Sequence, residues 1–315
     1  MIIVTGAAGF IGSNIVAGLN ARGRSDIVLV DDMSDGHKCH NLADLDFCDY
    51  YEYDAFLAKI EAGETFGDIE AVFHQGACSA TTEWDGRYVM ARNFSYSKAL
   101  HRYCTGRGIA LIYASSASVY GAGPQFAETR ACENPLNMYA FSKFAFDQYV
   151  RAHAAAVTSQ VAGLRYFNVY GPREQHKGSM ASVAWHFSNQ IAADGECRLF
   201  AGCDGYADGE QQRDFVYVDD CVAVNLWLFD HPQVSGIFNC GSGRAQSFNE
   251  VADAVIDWHG RGYKRYIEFP EHLVGRYQSY TQADMRALRD AGYDTAFADV
   301  ATGVRRYLDW LAQRG

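Results

Sequence analysis

The sequence predicts an α/β protein built on a parallel sheet, and three observations lead to this prediction. Strand-like and helix-like segments alternate through the first half of the chain, a rhythm that implies right-handed βαβ crossovers. A glycine-spaced turn joins the first strand-like segment to the first helix-like one. The chain has 315 residues, 49% of them hydrophobic, which is enough to bury a sizeable core.

In chain order, the elements of the first half follow from apolar runs and helical periodicity. The strand-like segments are Ile2–Thr5, Asp26–Val30, Ile69–His74, Ile109–Ala114 and Gln160–Arg165. The helices expected between them are Phe10–Arg22, Trp84–Cys104 and Met138–Ala156. This order predicts one sheet whose strands all run in the same direction.

After Arg165 the alternation weakens, and polar loops are expected at Tyr170–Gly178 and Gly202–Gln212. The helices expected there are Ser179–Ala193, Asp220–Phe229, Phe248–His259 and Val300–Ala312, with strands at Phe215–Val218 and Gly236–Asn239. The second half therefore predicts further sheet strands interleaved with a smaller, discontinuous lobe.

Charge and cysteine usage exclude several classes of protein. A net charge of −11 has the wrong sign for a non-specific nucleic-acid binder, although a locally positive cleft could still hold a small anion. The nine cysteines are odd in number and form no CxxC, so neither a zinc site nor a disulfide framework is expected, and the thiols are interpreted as buried. No apolar run is long enough to span a membrane, and the opening strand leaves no room for a signal peptide. A cytoplasmic location is the simplest expectation.

The turn after the first strand carries glycines at Gly6, Gly9 and Gly12. In this context the first glycine permits a tight turn, the second lets the backbone approach a pyrophosphate, and the third lets the helix pack closely. The free N–H groups at the start of that helix favour phosphate. The turn thus predicts a Rossmann-type doubly wound sheet that binds a dinucleotide.

Asp31 and Asp32 end the second strand, about 20 residues beyond the glycine turn. A carboxylate there accepts hydrogen bonds from the ribose hydroxyls of NAD, although both residues could instead act as turn caps. Lys38 follows within a few residues and could meet the 2′-phosphate of NADP instead. The sequence leaves NAD and NADP open at this point.

Tyr139 and Lys143 are spaced i, i+4, so both project from one face of the expected helix. An ammonium held beside the phenol would lower the pKa of Tyr139 and let it act as acid or base near neutral pH. Ser116 follows a strand, where open α/β sheets bind their ligands, and its hydroxyl could hydrogen-bond the substrate. These three residues are the candidate catalytic group.

The glycine turn, Asp31, Ser116 and the Tyr139/Lys143 pair occur in the order typical of the extended short-chain dehydrogenase/reductase family, which the chain resembles over nearly its whole length. Two segments, Arg165–Arg173 and Arg213–Asp220, resemble the nucleotide-sugar epimerase and dehydratase branch. Narrower still is the resemblance to the 6-epimerases of ADP-linked heptose, which rests on His74–Ser79, Ser79–Gly86, Glu174–Ala184 and Gly275–Asp284.

This resemblance implies inversion of C6 of ADP-D-glycero-D-manno-heptose in lipopolysaccharide core biosynthesis, with transient hydride transfer to bound NADP and a 6-keto intermediate. It implies Lys177 as a second catalytic residue, because one acid/base cannot easily reach both faces of C6. It also implies a homo-oligomer, a pentamer in at least one family member. The dinucleotide-binding domain would comprise 1–167 plus about 214–240, and the substrate-binding domain about 168–213 and 241–315.

The resemblance further assigns binding residues by position. To the cofactor it assigns Gly6, Gly9, Phe10, Ile11, Gly12, Asp31, Asp32, Lys38, Gln75, Gly76, Ala77, Cys78, Ser79, Lys143, Val169 and Lys177. To the substrate it assigns Ser116, Asn168, Ser179, His186, Phe200, Ala201, Gly202, Cys203, Arg213 and Tyr277, with Ser179 and His186 expected on one helix.

Three departures from the family pattern bear on these assignments. Asp32 stands where a family example has Asn, and Tyr53 stands where it has Lys. Both changes remove attraction for a 2′-phosphate, and the charge of Asp32 would repel one. NADP is the predicted cofactor, with NAD as the alternative. The stretch Cys203–Arg213 is also longer than the pattern, which questions the reach of Phe200–Cys203.

Three other functions compete with the 6-epimerase reading. A 4,6-dehydratase would need carboxylates near Ser116, and the sequence has none there. A 4-epimerase of a uridine sugar is disfavoured by the KGSMA segment that begins at Lys177. A non-catalytic nucleotide-sensing protein would be expected to lack Tyr139 or Lys143, and both are present.

Overall fold

Seven parallel strands form the main sheet of the computed structural model, which describes residues 1–271 and 277–314. They are β1 (Ile2–Thr5), β2 (Ile27–Asp31), β3 (Asp49–Glu52), β4 (Ala71–His74), β5 (Ala110–Ser116), β6 (Val161–Tyr166) and β11 (Gly236–Cys240), in the order β11-β6-β5-β4-β1-β2-β3. The predicted α/β class and parallel sheet are confirmed.

The shorter strands form three two-stranded pairs beside the main sheet. They are β7 (Asn168–Tyr170), β8 (Glu196–Phe200), β9 (Gln212–Arg213), β10 (Phe215–Tyr217), β12 (Gln246–Ser247) and β13 (Tyr263–Ile267). The pairs β10–β7 and β13–β8 are parallel, and β12–β9 is antiparallel.

Ten α-helices occur in the described residues. They are α1 (Phe10–Ala21), α2 (Tyr53–Glu61), α3 (Gly86–Met90), α4 (Tyr96–Thr105), α5 (Met138–His153), α6 (Val183–Asp194), α7 (Val218–Asp230), α8 (Phe248–His259), α9 (Arg286–Asp290) and α10 (Val300–Ala312). A π-helical segment, Ala91–Ser95, joins α3 to α4, and 3₁₀ segments include Gly36–Asn41, Ala117–Tyr120 and Gln175–Met180.

Both faces of the main sheet are covered. Along β1, Ile2 and Val4 pack into a core with α1 and α7, whereas Ile3 packs into an opposite core with α2, α4 and α5. This alternation follows from the two-residue period of a strand. A third core, formed by α6, α8, α10 and the short strands, lies beside the sheet. The proposed division into two domains stays a prediction.

Several local expectations were wrong. The strand β3 and helix α2 were missed, because β3 is half-exposed and polar and lacks the apolar run of the inner strands. Strands β8 and β13 were missed for a similar reason, since charged side chains interrupt both. All nine cysteines are described and unpaired, but only four are buried, and Cys39 and Cys48 are exposed. Every helix in 1–271 and 277–314 is too short or too polar to cross a bilayer.

Candidate active site

A cavity of about 630 Å³ lies where the main strands end, at the carboxyl edge of the sheet. The segments that follow β1, β2, β4, β5 and β6 all contribute to its wall. It is also lined by Tyr139 and Lys143 from α5 and by Lys177 from a 3₁₀ segment. The predicted cofactor residues and the predicted catalytic residues therefore line one cavity.

The glycine turn adopts a conformation that side chains would block. Gly6 has φ +65°, and a Cβ there would lie 2.6 Å from the backbone nitrogen of Gly76. A Cβ at Gly12 would lie 2.0 Å from the carbonyl oxygen of Gly6. Helix α1 begins at Phe10, and its N-cap Gly9 has no side chain to cap it, which leaves the first N–H groups of the helix available to a phosphate.

The cavity fits a dinucleotide in a further respect. Both amide atoms of Gln75 are buried without a hydrogen-bond partner among the described residues, and Gln75 lines the cavity. Because buried amides are normally satisfied, these atoms indicate a polar ligand. Gly76, Ala77, Cys78 and Ser79 continue the same wall, as does Val169.

One end of the cavity lies below β2, that is, at the carboxyl end of this strand. Asp31 is buried there and already has protein partners. The backbone N–H of Ala8 donates to its Oδ2 at 2.7 Å, and Lys38 Nζ donates to its Oδ1 at 2.6 Å. Tyr53 and Arg92 also line this end, although neither was predicted from the sequence to bind the cofactor. Arg92 lies in a helical run without a motif, and no sequence signal pointed to it.

Ser116, Tyr139 and Lys143 line the same cavity, and Tyr139 is in hydrogen-bond contact with Ser116. Lys143 Nζ donates to the carbonyl oxygen of Ala114 at 2.8 Å, which ties α5 to the end of β5. The hydroxyl of Ser116 accepts hydrogen bonds from the N–H and Oγ of Ser118, at 3.2 and 2.9 Å. Ser116 is thereby held in place beside Tyr139.

The direction expected for the pKa of Tyr139 was wrong. Burial raises the pKa of Tyr139, and a hydrogen bond with Ser116 offsets this only in part. Burial also lowers the pKa of Lys143 to about 8. Desolvation disfavours the charged form of each group and is the largest cause of both shifts. Tyr139 is therefore a phenol at neutral pH.

Lys177 sits where desolvation affects its charge. Its ammonium lies 5.1 Å from the ring centre of Phe10, and burial lowers the pKa of Lys177 despite the attraction of Glu174. A lysine whose pKa is lowered in this way can give up and take back a proton more readily than an exposed one. Desolvation thus favours the uncharged form of Lys177 more than in an exposed lysine.

Asn93, in the π-helical segment, is a further residue that sequence reasoning missed. Its Oδ1 accepts the N–H of Cys78 at 2.8 Å, and its Nδ2 donates to the carbonyl oxygen of Cys78 at 3.0 Å. The same Nδ2 donates to Ser142 Oγ at 2.9 Å. Asn93 thus joins the wall after β4 to the helix that carries Tyr139 and Lys143.

A second cluster forms around Arg213, outside the cavity wall. The Arg213 guanidinium lies 4.7 Å from the ring centre of Tyr277, and the Phe200 and Tyr277 rings are 6.4 Å apart. Arg213 is only 6% exposed, burial lowers its pKa, and no carboxylate of residues 1–271 or 277–314 pairs with it. A buried cation without a protein counter-ion is suited to an anionic ligand.

The long stretch after Phe200 folds back on itself rather than extending away. The N–H of Gly209 donates to the carbonyl oxygen of Phe200 at 3.0 Å, and the N–H of Gly202 donates to Asp208 Oδ1 at 2.8 Å. Gln211 Nε2 donates to the carbonyl oxygen of Ala201 and to Cys203 Sγ, at 3.0 and 3.3 Å. The extra length therefore keeps Phe200–Cys203 close to Arg213.

The other residues assigned to the substrate lie on several separate elements. Asn168 starts β7, and its N–H donates to the carbonyl oxygen of Asp214, next to Arg213. Ser179 and His186 do not share a helix as expected, since α6 begins only at Val183 and Ser179 lies in the preceding 3₁₀ segment. The positive φ of Gly178 (53°) breaks the helical path there. The first two residues of the motif Gly275–Asp284 lie outside the described residues.

The chain is similar to a known protein family and to a curated enzyme. The model of the NAD dependent epimerase/dehydratase family matches residues 2–241. The ADP-L-glycero-D-manno-heptose-6-epimerase of Alkalilimnicola ehrlichii is 63% identical over 312 residues, which cover 99% of this chain and 98% of that protein. The resemblance to 6-epimerases is thereby confirmed.

Solved structures of two epimerases also match this chain. The crystal structure of the Helicobacter pylori ADP-L-glycero-D-manno-heptose-6-epimerase matches with a TM-score of 0.85 at 30% identity, covering 99% of this chain and 96% of that one. The UDP-glucose 4-epimerase of Thermotoga maritima matches with a TM-score of 0.80 at 26% identity, covering 99% of both chains. The chain belongs to the NAD-dependent epimerase/dehydratase family.

Proposed function

We propose that this protein inverts C6 of ADP-D-glycero-D-manno-heptose, giving ADP-L-glycero-D-manno-heptose through a 6-keto intermediate, with NADP as the cofactor. The 63% identical relative that bears this activity in its name supports the substrate. The observation that carries the proposal is the presence of Lys177 in the same cavity as Tyr139 and Lys143. It gives two proton-handling groups on different elements, as inversion at one carbon needs.

When bound, the cofactor accepts a hydride from C6 and returns it to the opposite face of the ketone. In the first half of the reaction the C6 hydroxyl loses its proton to one protein group. In the second half another group gives a proton to the carbonyl oxygen. The lowered pKa of Lys177 suits the gain and loss of a proton, and the raised pKa of Tyr139 keeps its phenol protonated, so that it has a proton to give. Ser116 would hydrogen-bond the reacting oxygen in both halves.

The ADP moiety would occupy the cluster around Arg213. There the guanidinium can form a bidentate pair with a phosphate, and Phe200 and Tyr277 offer aromatic surface to the base. On the cofactor side, Lys38 supports NADP by placing an ammonium at the end of the cavity below β2.

The test separates the two proton-handling groups. Lys177→Ala should abolish epimerisation of the ADP-heptose but keep oxidation or reduction of an aldehyde analogue, because Tyr139 still serves one face. Tyr139→Phe should retain the opposite single-face activity. Full epimerase activity in Lys177→Ala would contradict the two-group mechanism.

Substrate choice is tested separately with the unaltered enzyme. ADP-heptose and UDP-galactose are supplied in parallel, and inversion at C6 or C4 is read from the products. Inversion at C6 of the ADP-heptose is expected. Turnover of UDP-galactose alone would replace the proposal with a 4-epimerase, the activity named for the Thermotoga maritima neighbour.

A further inference from the structure

The end of the cavity below β2 holds two carboxylates and two cations in close contact. Lys38 Nζ bonds Asp31 Oδ1 at 2.6 Å, and Arg92 Nη2 bonds Asp32 Oδ2 at 3.1 Å. Lys38 also donates to the backbone carbonyl oxygen of Asp32. All four residues line the cavity, so both cations face the space that the adenosine half of a dinucleotide would fill.

Arg92 is presented to this space by two features of the chain. It lies in the π-helical segment Ala91–Ser95, the kind of local widening that often occurs at functional sites. Its guanidinium then lies over the ring of Tyr53, 4.1 Å from the ring centre. Stacking on one face fixes the plane of the guanidinium and leaves its N–H groups, which lie in that plane, free to bind.

The ion pair with Asp32 uses only one nitrogen of the Arg92 guanidinium. Only Nη2 is in hydrogen-bond contact with a carboxylate of the described residues, and the two side chains are 24% and 41% exposed. A half-exposed ion pair of this kind contributes little to stability, so exchanging its partner costs little. A phosphate dianion would compete well for the guanidinium, since Arg binds phosphate through two parallel hydrogen bonds.

We infer that Arg92, together with Lys38, recognises the 2′-phosphate of NADP and sets the preference of this chain for NADP over NAD. The inference rests on the proposed use of NADP. Without Arg92, the two carboxylates would face a phosphate with Lys38 alone. With Arg92, the charge of the two cations offsets that of Asp31 and Asp32. The phosphate can then bind Arg92 in place of Asp32 and accept the third N–H of Lys38, whose other two N–H groups bond Asp31 and Asp32. The 2′-hydroxyl of NAD carries no charge and gains nothing from Arg92.

The experiment compares Arg92→Leu with Arg87→Leu, a matched control on α3 whose arginine is exposed and outside the cavity wall. Each protein is purified, its bound nucleotide is released by denaturation, and NADP and NAD are quantified by mass spectrometry. After the nucleotide is removed, the Kd values for NADP and for NAD are measured by calorimetry on the refolded or stripped protein.

Arg92→Leu should weaken NADP binding about 10- to 100-fold, which is the loss of one or two charge-assisted hydrogen bonds, and change NAD binding less than about threefold. Arg92→Lys should recover part of the NADP affinity, and Asp32→Asn should raise it, because a competing carboxylate is gone. Arg87→Leu should match the unaltered protein for both nucleotides.

Equal loss of both nucleotides in Arg92→Leu would overturn the inference, since a structural role would weaken both. An unchanged NADP preference in Arg92→Leu would also overturn it, while the proposed epimerase function would stand. A preference for NAD in the unaltered protein would refute the proposed cofactor and the role of Arg92 together, and would leave the ADP-heptose assay as a separate measurement.

Discussion

At the residue scale, Lys143 is a buried lysine whose side chain lies in the protein interior, and the residue is only 5% exposed. Burial lowers its pKa from 10.5 to about 8, against the attraction of Asp147. Between these two values the unfolded chain binds a proton that the folded protein lacks, so this residue makes stability rise with pH. Below pH 8 the charge of Lys143 therefore lowers the stability of the folded protein.

Lys143→Met removes this linkage. From pH 7 to 9.5 the unfolding free energy of the unaltered protein should rise by about 2 kcal/mol relative to Lys143→Met. Urea unfolding of both proteins at the two pH values measures the difference. Parallel changes in the two proteins would contradict the lowered pKa, whatever the variant does to activity.

Asn93 and Arg92 illustrate what sequence reasoning can reach at the residue scale. Gly6, Ser116, Tyr139 and Lys143 could be predicted because each belongs to a motif whose spacing reflects backbone geometry or a helix face. Asn93 and Arg92 act from a π-helical segment, which shifts the direction of side chains relative to a 3.6-residue period. A periodicity argument therefore misassigns their faces.

At the element scale, α5 is fixed to the sheet by a buried polar network. Asp147 is fully buried and accepts from Tyr113 and Ser115 of β5, at 3.0 and 2.9 Å. It also accepts from Nε and Nη2 of Arg165 on β6, at 2.9 and 2.8 Å. Glu133, just before α5, binds the same guanidinium. The network positions the helix that carries Tyr139 and Lys143.

Asp147→Asn should cost about 3 kcal/mol of stability, because it leaves the buried Arg165 charge under-compensated. Asp230→Asn, which breaks the exposed pair with Arg22, should cost less than about 1 kcal/mol. Chemical denaturation of both variants gives the comparison. Similar costs in the two variants would mean that burial adds nothing to the network.

The junction of β1 with α1 depends equally on one missing side chain. Gly12→Ala places a Cβ 2.0 Å from the carbonyl oxygen of Gly6, so the helix must move away from the strand. We expect a loss of about 1–3 kcal/mol and weaker dinucleotide binding. Gly36→Ala, where a Cβ meets nothing within 4 Å, is the control and should change neither property. Denaturation and nucleotide titration check both, and an innocuous Gly12→Ala would refute the close-packing role.

Helix boundaries show why the element scale is only partly predictable. The start of α5 could be placed at Met138, because Asn137 is a side-chain cap that accepts the N–H of Ala140. The start of α6 was placed four residues early, since the positive φ of Gly178 is a backbone state that composition alone does not reveal. The polar edge strand β3 likewise follows from pairing with β2 rather than from its own residues.

At the scale of the whole molecule, a chain of net charge −11 concentrates cations where anionic ligands are proposed to bind. Lys38, Arg92, Lys143 and Lys177 line one cavity, and Arg213 lies in a separate cluster. The first group lies at the carboxyl edge of the main sheet, and Arg213 belongs to the short strand β9. The two places should therefore bind their ligands independently.

Arg213→Met tests this separation. Because Arg213 is buried without a carboxylate partner in the described residues, its removal should leave the fold at least as stable. Saturating ADP, at about 100 times its Kd, should stabilise the unaltered protein by about 2.7 kcal/mol and the variant hardly at all. NADP should stabilise both proteins equally.

Thermal unfolding with each ligand measures these effects. The control is Arg244→Met, which replaces an exposed arginine nearby in sequence and should respond to ADP as the unaltered protein does. Loss of the NADP response in Arg213→Met would show that the two sites are coupled.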